Sequence, residues 1–127
     1  MSRRTVFFVS DQTGVTAETL GHSLMTQFEG LEFRLVTLPF VSTLDKAREA
    51  VRRIDRAAQE EGLRPIIFST LVQDDLRDVL STANGLFLDL FQQRLGRHMG
   101  AGLERLKELV ELDGKVDPRV VPNSGAP

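Results

Sequence analysis

The chain has 127 residues, with 16 Lys and Arg against 18 Asp and Glu and a formal charge of −2, so it carries no basic footprint for nucleic acid. Its 41% apolar and 27% charged content is that of one ordinary globular domain, and the absence of cysteine excludes disulfides, thiolate metal sites and cysteine nucleophiles. No apolar stretch reaches membrane-spanning length, and Met1-Ser2-Arg3-Arg4 runs straight into the first apolar run, so a cytoplasmic protein with no membrane partner is expected.

Thr5-Val6-Phe7-Phe8-Val9 is branched and aromatic, as a buried strand should be. After a polar turn, Ala17, Leu20, Leu24 and Phe28 recur at helical spacing. A second apolar run, Phe33–Leu38, predicts the next strand. Then Leu44, Ala47, Val51, Ile54 and Ala58 step by three and four with charge on the other faces. Ser42, with Asp45 three residues on, reads as a capping box, and Gly62 stands where a helix stop belongs. Pro65–Ser69 predicts a third strand. Gln73–Thr82 predicts a third helix, with Leu76, Val79 and Leu80 inward and Asn84-Gly85 ending it. Strands alternating with helices of this length imply parallel units with right-handed crossovers. The expected fold is α/β: an open, mainly parallel three-layer β-α-β-α-β-α arrangement, a Rossmann-like half.

After Gly85, Leu86, Leu88, Phe91, Leu95 and Met99 suggest another helix, which Leu103, Leu106, Leu109 and Val110 continue past a break near Gly100. Glycines at 96, 100 and 102 each cost up to about 1 kcal/mol in a helix interior. The expected division is an α/β domain over 1–98, an additional helix over 99–112 and a disordered tail over 113–127, where Gly, Pro, Asn and Ser replace any periodicity.

The functional signal sits in Ser10-Asp11-Gln12-Thr13-Gly14-Val15-Thr16, between the first strand and first helix. In open α/β sheets ligands bind at such turns, because the following helix presents free N–H groups and its positive dipole end. Ser10, Thr13 and Thr16 bring hydroxyls, Asp11 a carboxylate, and Gly14 a place for the backbone to bend. These five are the candidate phosphate- or ligand-binding residues, with Asp11 a candidate to hold Mg²⁺ through water. The competing explanation is a capped turn with Thr13 as N-cap. Glu18 and His22, four apart on one helical face, are weaker candidates for a carboxylate–histidine pair; His98 is weaker still. Asp74, Asp75 and Asp78 read as dipole-favouring residues of a helix start. Arg48, Arg52, Arg53 and Arg56 read as a solvated face pairing with Asp45, Glu49 and Asp55. The eight Phe residues, with no Trp or Tyr beside them, read as core.

Phe8-Val9-Ser10-Asp11, Thr13-Gly14, Thr16-Ala17-Glu18 and Leu20-Gly21-His22 together closely resemble the opening of the phosphoenolpyruvate synthase or pyruvate, phosphate dikinase regulatory proteins. Thr37-Leu38-Pro39-Phe40-Val41 and Arg64-Pro65-Ile66-Ile67-Phe68-Ser69 are similar too, and the resemblance covers residues 5 to about 92. It implies a bifunctional regulator: an ADP-dependent kinase that inactivates the dikinase on a threonine, and a phosphate-dependent pyrophosphorylase that reverses this. ADP and phosphate are then the implied co-substrates, and phosphoenolpyruvate synthase or pyruvate, phosphate dikinase the implied partner. The apolar content of 86–110 leaves two further expectations open, docking of another domain or of a second copy of the chain.

Two departures qualify the resemblance. Gln12 stands where relatives usually have Gly, which would strain or reshape the turn if that position needed positive φ. Relatives also carry a P-loop-like G-x-S-R-x-x-K-T segment in a second half, whereas Gly114-Lys115 is followed here by Val116-Asp117. Without a phosphate-cradling loop, this chain is expected to be inactive as a kinase alone. The alternative expectation is a non-catalytic regulatory module that binds an anion or a protein.

Overall fold

The computed structural model describes residues 4–26, 28, 32–90 and 104–111. Within them the chain runs β1 (Arg4–Val9), α1 (Val15–Met25), β2 (Phe33–Leu38), α2 (Leu44–Glu61), β3 (Ile66–Ser69), α3 (Asp74–Leu80) and β4 (Leu86–Asp89), and residues 104–111 form a further helix, α4. The four strands make one sheet in the order β2-β1-β3-β4 with every pair parallel, which is the expected open α/β architecture.

β1 lies between β2 and β3, and all six of its residues are buried. Both faces of such a strand need apolar cover, which explains its unbroken apolar run. Phe7 and Val9 pack with Ile67 against α2 and α3. Val6 and Phe8 pack with Ile66 and Phe68 against α1 and α4. Each large apolar side chain so buried stabilises the fold by about 1.5–3 kcal/mol relative to exposure. At the start of β1 the Glu61 carboxylate accepts from the backbone N–H and hydroxyl of Thr5, and the Arg4 guanidinium donates to the Arg64 carbonyl. Two buried polar residues thereby tie β1 to the end of α2.

α1 approaches the sheet closely because Gly21 has no side chain. A Cβ there would lie 2.2 Å from Phe8 Cε1 and 3.2 Å from Phe68 Cδ2. α2 is the long amphipathic helix its spacing predicts, burying Ala47, Ala50, Ile54, Ala57 and Ala58. Gly62 ends it in the left-handed conformation (φ 72°), its N–H donating to Ala58. The N-cap is Thr43 rather than Ser42: the Thr43 hydroxyl accepts from the Lys46 N–H at 3.2 Å.

One expectation is overturned at residue 86. Leu86 and Leu88 belong to β4, not to a helix; Leu86 pairs with Ile66 and Leu88 with Phe68. They are two apart, so in a strand both reach the buried α1 face. Asp89 meets Arg77 of α3 at 3.1 Å in a largely buried ion pair. α3 itself is shorter than expected, since Ser81 already caps it. The helical reading of Phe91, Leu95 and Met99, the break near Gly100 and the tail over 113–127 lie outside the described residues. No described helix is long and apolar enough to cross a membrane.

Candidate functional site

The strand order makes β1 and β3 the place where the chain switches direction: it leaves β1 towards β2 and returns past it to β3. Loops after these two strands diverge, and a cleft opens at their carboxyl ends, where ligands of such sheets bind. Here that cleft has a volume of about 280 Å³ and is lined by the continuous turn from Ser10 to Thr16, with Thr70 and Val72 from the β3 side.

The turn is held rigidly from both flanks. The Ser10 N–H donates to the Leu38 carbonyl at 3.1 Å and its carbonyl accepts from the Val41 N–H at 2.8 Å. The Gln12 carbonyl accepts from the Phe40 N–H at 2.8 Å, and on the other side the Thr70 N–H donates to Val9 at 3.0 Å. Phe40 reaches its bond with φ 60°, in the left-handed region. It is the one non-glycine residue with positive φ among those described, and such backbone strain costs on the order of 1–3 kcal/mol. Gln12 has no positive φ, so its side chain sits in the turn without that strain.

The five candidates divide by what they do. Ser10 is buried, and its hydroxyl accepts from the Gln12 N–H at 3.0 Å, so it shapes the turn from inside. Ser69 does the same after β3, accepting from Leu71 at 3.1 Å. Thr13 is not the N-cap. That position is Gly14, in the left-handed conformation at φ 93°, with no side chain to cap the helix. The Thr13 hydroxyl makes only a long 3.5 Å contact with the Val15 N–H. The first turn of α1 therefore carries no side-chain cap, and its positive end faces the cleft. A Cβ on Gly14 would sit 2.7 Å from Thr37 Cγ2, so both its φ and its packing require glycine. Asp11 is half-buried and Thr16 exposed; both line the cleft, and among the described residues Asp11 is the only carboxylate that does.

Glu18 and His22 are not a pair. The Glu18 carboxylate accepts from the Thr37 hydroxyl on β2, while the exposed His22 ring stacks on Phe8 with centroids 5.7 Å apart. The acidic cluster also dissolves into local roles: Asp74 pairs with Arg77 at 2.6 Å, and Asp75 accepts from the Leu76 N–H at 2.8 Å. Arg48 pairs with Asp45 at 2.7 Å as expected of a solvated face. Among the described residues no group of three or more acidic or histidine side chains converges as a metal site.

A model of the kinase/pyrophosphorylase family matches residues 6–111. The chain belongs to the kinase/pyrophosphorylase family. It is 54% identical over 89 residues to a protein of Ectopseudomonas mendocina, covering 70% of this chain and 33% of that one. It is 55% identical over 89 residues to one of Alcanivorax borkumensis, again 70% and 33%. With one of Pseudomonas fluorescens it shares 47% over 103 residues, 76% and 38%. All three are provisionally named phosphoenolpyruvate synthase regulatory protein. The chain spans about a third of the length of these curated relatives. In this member of the family, Thr70 and Val72 are cleft residues that the sequence reading missed. The available signal was topological: Ser69 pairs with Val9 in the sheet, so the residue after β3 stands level with the residue after β1.

Proposed function

We propose that this chain is the phosphate-handling α/β domain of a regulator that phosphorylates and dephosphorylates a threonine of phosphoenolpyruvate synthase or a related dikinase. Its part in that reaction is to hold a phosphate group at the Ser10–Thr16 turn. The observation that carries the reading is the uncapped N-terminus of α1, opening into the switch-point cleft beside the Thr13, Thr16 and Thr70 hydroxyls and the Asp11 carboxylate. Backbone N–H groups and hydroxyls are donors for phosphate oxygens. A cleft of about 280 Å³ is at the small end for ligand sites and suits phosphate or pyrophosphate better than an entire nucleotide.

Among the described residues the cleft lining carries a carboxylate and no cation. One carboxylate with phosphate oxygens and water is the usual donor set for Mg²⁺, so Asp11 is the residue that would hold it, and the ion would offset phosphate charge. Ser10 and Gly14 fix the turn so that the N–H groups of α1 stay aimed at the phosphate. Phosphoryl transfer also needs cationic side chains around the transferred group. Those, and the binding of ADP, fall to parts of the regulator beyond the residues described. The family membership and the names of the relatives support the regulatory reading.

Titration calorimetry with phosphate and with pyrophosphate, each with and without Mg²⁺, tests it. Saturable binding that weakens in Asp11→Asn and Thr13→Val is expected; no heat with either anion, or binding indifferent to both substitutions, would sink the turn as the phosphate site.

A further inference from the structure

A second cleft, also about 280 Å³, lies between the carboxyl end of β2 and α2, lined by Pro39, Phe40, Val41, Lys46, Glu49 and Arg53 among others. Nothing in the phosphate-binding reading uses it. Lys46, Glu49 and Arg53 stand at i, i+3 and i+7 on one stripe of α2 and all three are exposed. Neither cation has an ion-pair or hydrogen-bond partner for its side chain among the described residues, unlike Arg48, Arg77 and Arg105. Two unpaired cations against one carboxylate leave the cleft with a net positive charge on a chain whose total is −2.

Five large hydrophobic side chains are exposed among the described residues: Phe40 lines this cleft and Leu44 opens α2 beside it, whereas Val15 and Val72 line the phosphate cleft on the same carboxyl edge of the sheet. Phe40 is 54% exposed although its backbone is fixed at φ 60° by its bond to Gln12. An aromatic held outward on a strained, hydrogen-bonded backbone is a preorganised contact, and apolar groups concentrated on one edge mark a surface that a macromolecule covers. A small anion would satisfy the cations and leave Phe40 in water. The fifth exposed residue, Leu35, is on β2, which among the described residues pairs with β1 alone, so that its outer edge runs towards the cleft.

We propose that this cleft docks an extended, acidic peptide segment of a partner protein. An apolar side chain of the segment covers Phe40 and Val41, and a carboxylate of the segment lies between Lys46 and Arg53. Glu49 offers an acceptor for a main-chain N–H and disfavours segments of unbroken negative charge. Extended segments commonly dock by running along a strand edge and placing alternate side chains in pockets. The inference depends on the cleft alone and not on the identity of the regulated enzyme.

Fluorescence anisotropy tests it, with a labelled peptide of about twelve residues carrying a leucine flanked by glutamates, and a control with glutamine for each glutamate. Saturable binding of the acidic peptide is expected, weakened about tenfold by Lys46→Glu, Arg53→Glu or Phe40→Ala, by the glutamine control and by added salt. Lys46→Glu and Arg53→Glu are surface changes; circular dichroism checks that they fold, and calorimetry that phosphate binding at the β1 turn survives. Failure of the acidic peptide to bind, or equal binding by all variants, would overturn the proposal. So would self-association of the chain that Arg53→Glu abolishes, which would assign the cleft to a second copy.

Discussion

The Thr37 hydroxyl donates to the Glu18 carboxylate, and the same Thr37 presents its methyl group to Gly14. One side chain of β2 thus sets both the depth and the rotation of α1 behind the phosphate-binding turn. Thr37→Val keeps the shape, removes the donor and leaves a half-buried carboxylate without its partner. An unmet group of this kind costs about 1–3 kcal/mol, so urea denaturation should show a loss in that range. The double variant with Glu18→Leu should recover part of it. Equal stability of Thr37→Val and the natural chain would show that the bond contributes nothing.

Gly21 permits the close packing of α1 on Phe8 and Phe68. With a Cβ placed 2.2 Å from a Phe8 ring carbon, Gly21→Ala must move the helix or the ring. Overpacking costs typically about 1–3 kcal/mol, outweighing the gain of up to about 1 kcal/mol that alanine brings to a helix interior. Thermal unfolding should therefore show a lower Tm despite the better helix former. A raised Tm would mean the α1–sheet spacing is slack.

Arg77 and Asp89 join α3 to β4 with side chains only 14% and 13% exposed. Asp89→Ala removes the buried partner of Arg77, while Arg77 keeps its bonds to Asp74 and to the Val72 carbonyl, and the loss should be about 1–3 kcal/mol. Because water and ions reach the pair poorly, high salt should leave that loss nearly unchanged. Asp45→Ala, which breaks an exposed pair with Arg48, should cost less than about 1 kcal/mol and vary with salt.

Ser10 and Asp11 are neighbours with opposite duties, and substitution should separate them. Ser10→Ala removes the acceptor for the Gln12 N–H and should lower stability by about 1 kcal/mol, weakening phosphate binding only through the turn's disorder. Asp11→Asn should leave the denaturation midpoint within about 0.5 kcal/mol while removing the Mg²⁺ dependence of binding. The comparison of midpoint against affinity in the two variants decides the assignment.

The elements legible in the sequence were those with long patterns. β1, β2 and β3 showed as apolar runs, and α2 as five small or branched residues at steps of three and four. β4 was hidden because four residues, Leu86–Asp89, sit directly before further apolar positions that mimic a helical stripe. Its strand character lies in pairing with β3, a relationship between residues twenty apart. The cap of α2 was off by one because Ser42 and Thr43 carry the same chemistry, and only backbone direction separates them. At the site, the turn was legible from its place after β1, but the division of labour within it was not. Whether a hydroxyl faces the ligand, as Thr16 can, or its own backbone, as in Ser10, depends on burial. The Glu18–His22 pairing failed for a related reason: helical spacing places two residues on one face and says nothing of the Thr37 hydroxyl and the Phe8 ring, which reach them from the sheet.

β1, an inner strand of the sheet, is made before both of its neighbours. Val6–Val9 leaves the ribosome ahead of its flanking strands, which end at Leu38 and Ser69, so a sticky apolar ribbon must wait while some sixty more residues are added. At about 5–20 residues per second that delay lasts several seconds, long enough for a nascent-chain chaperone to engage it. The strand that anchors the finished fold is, during translation, the segment most exposed to aggregation.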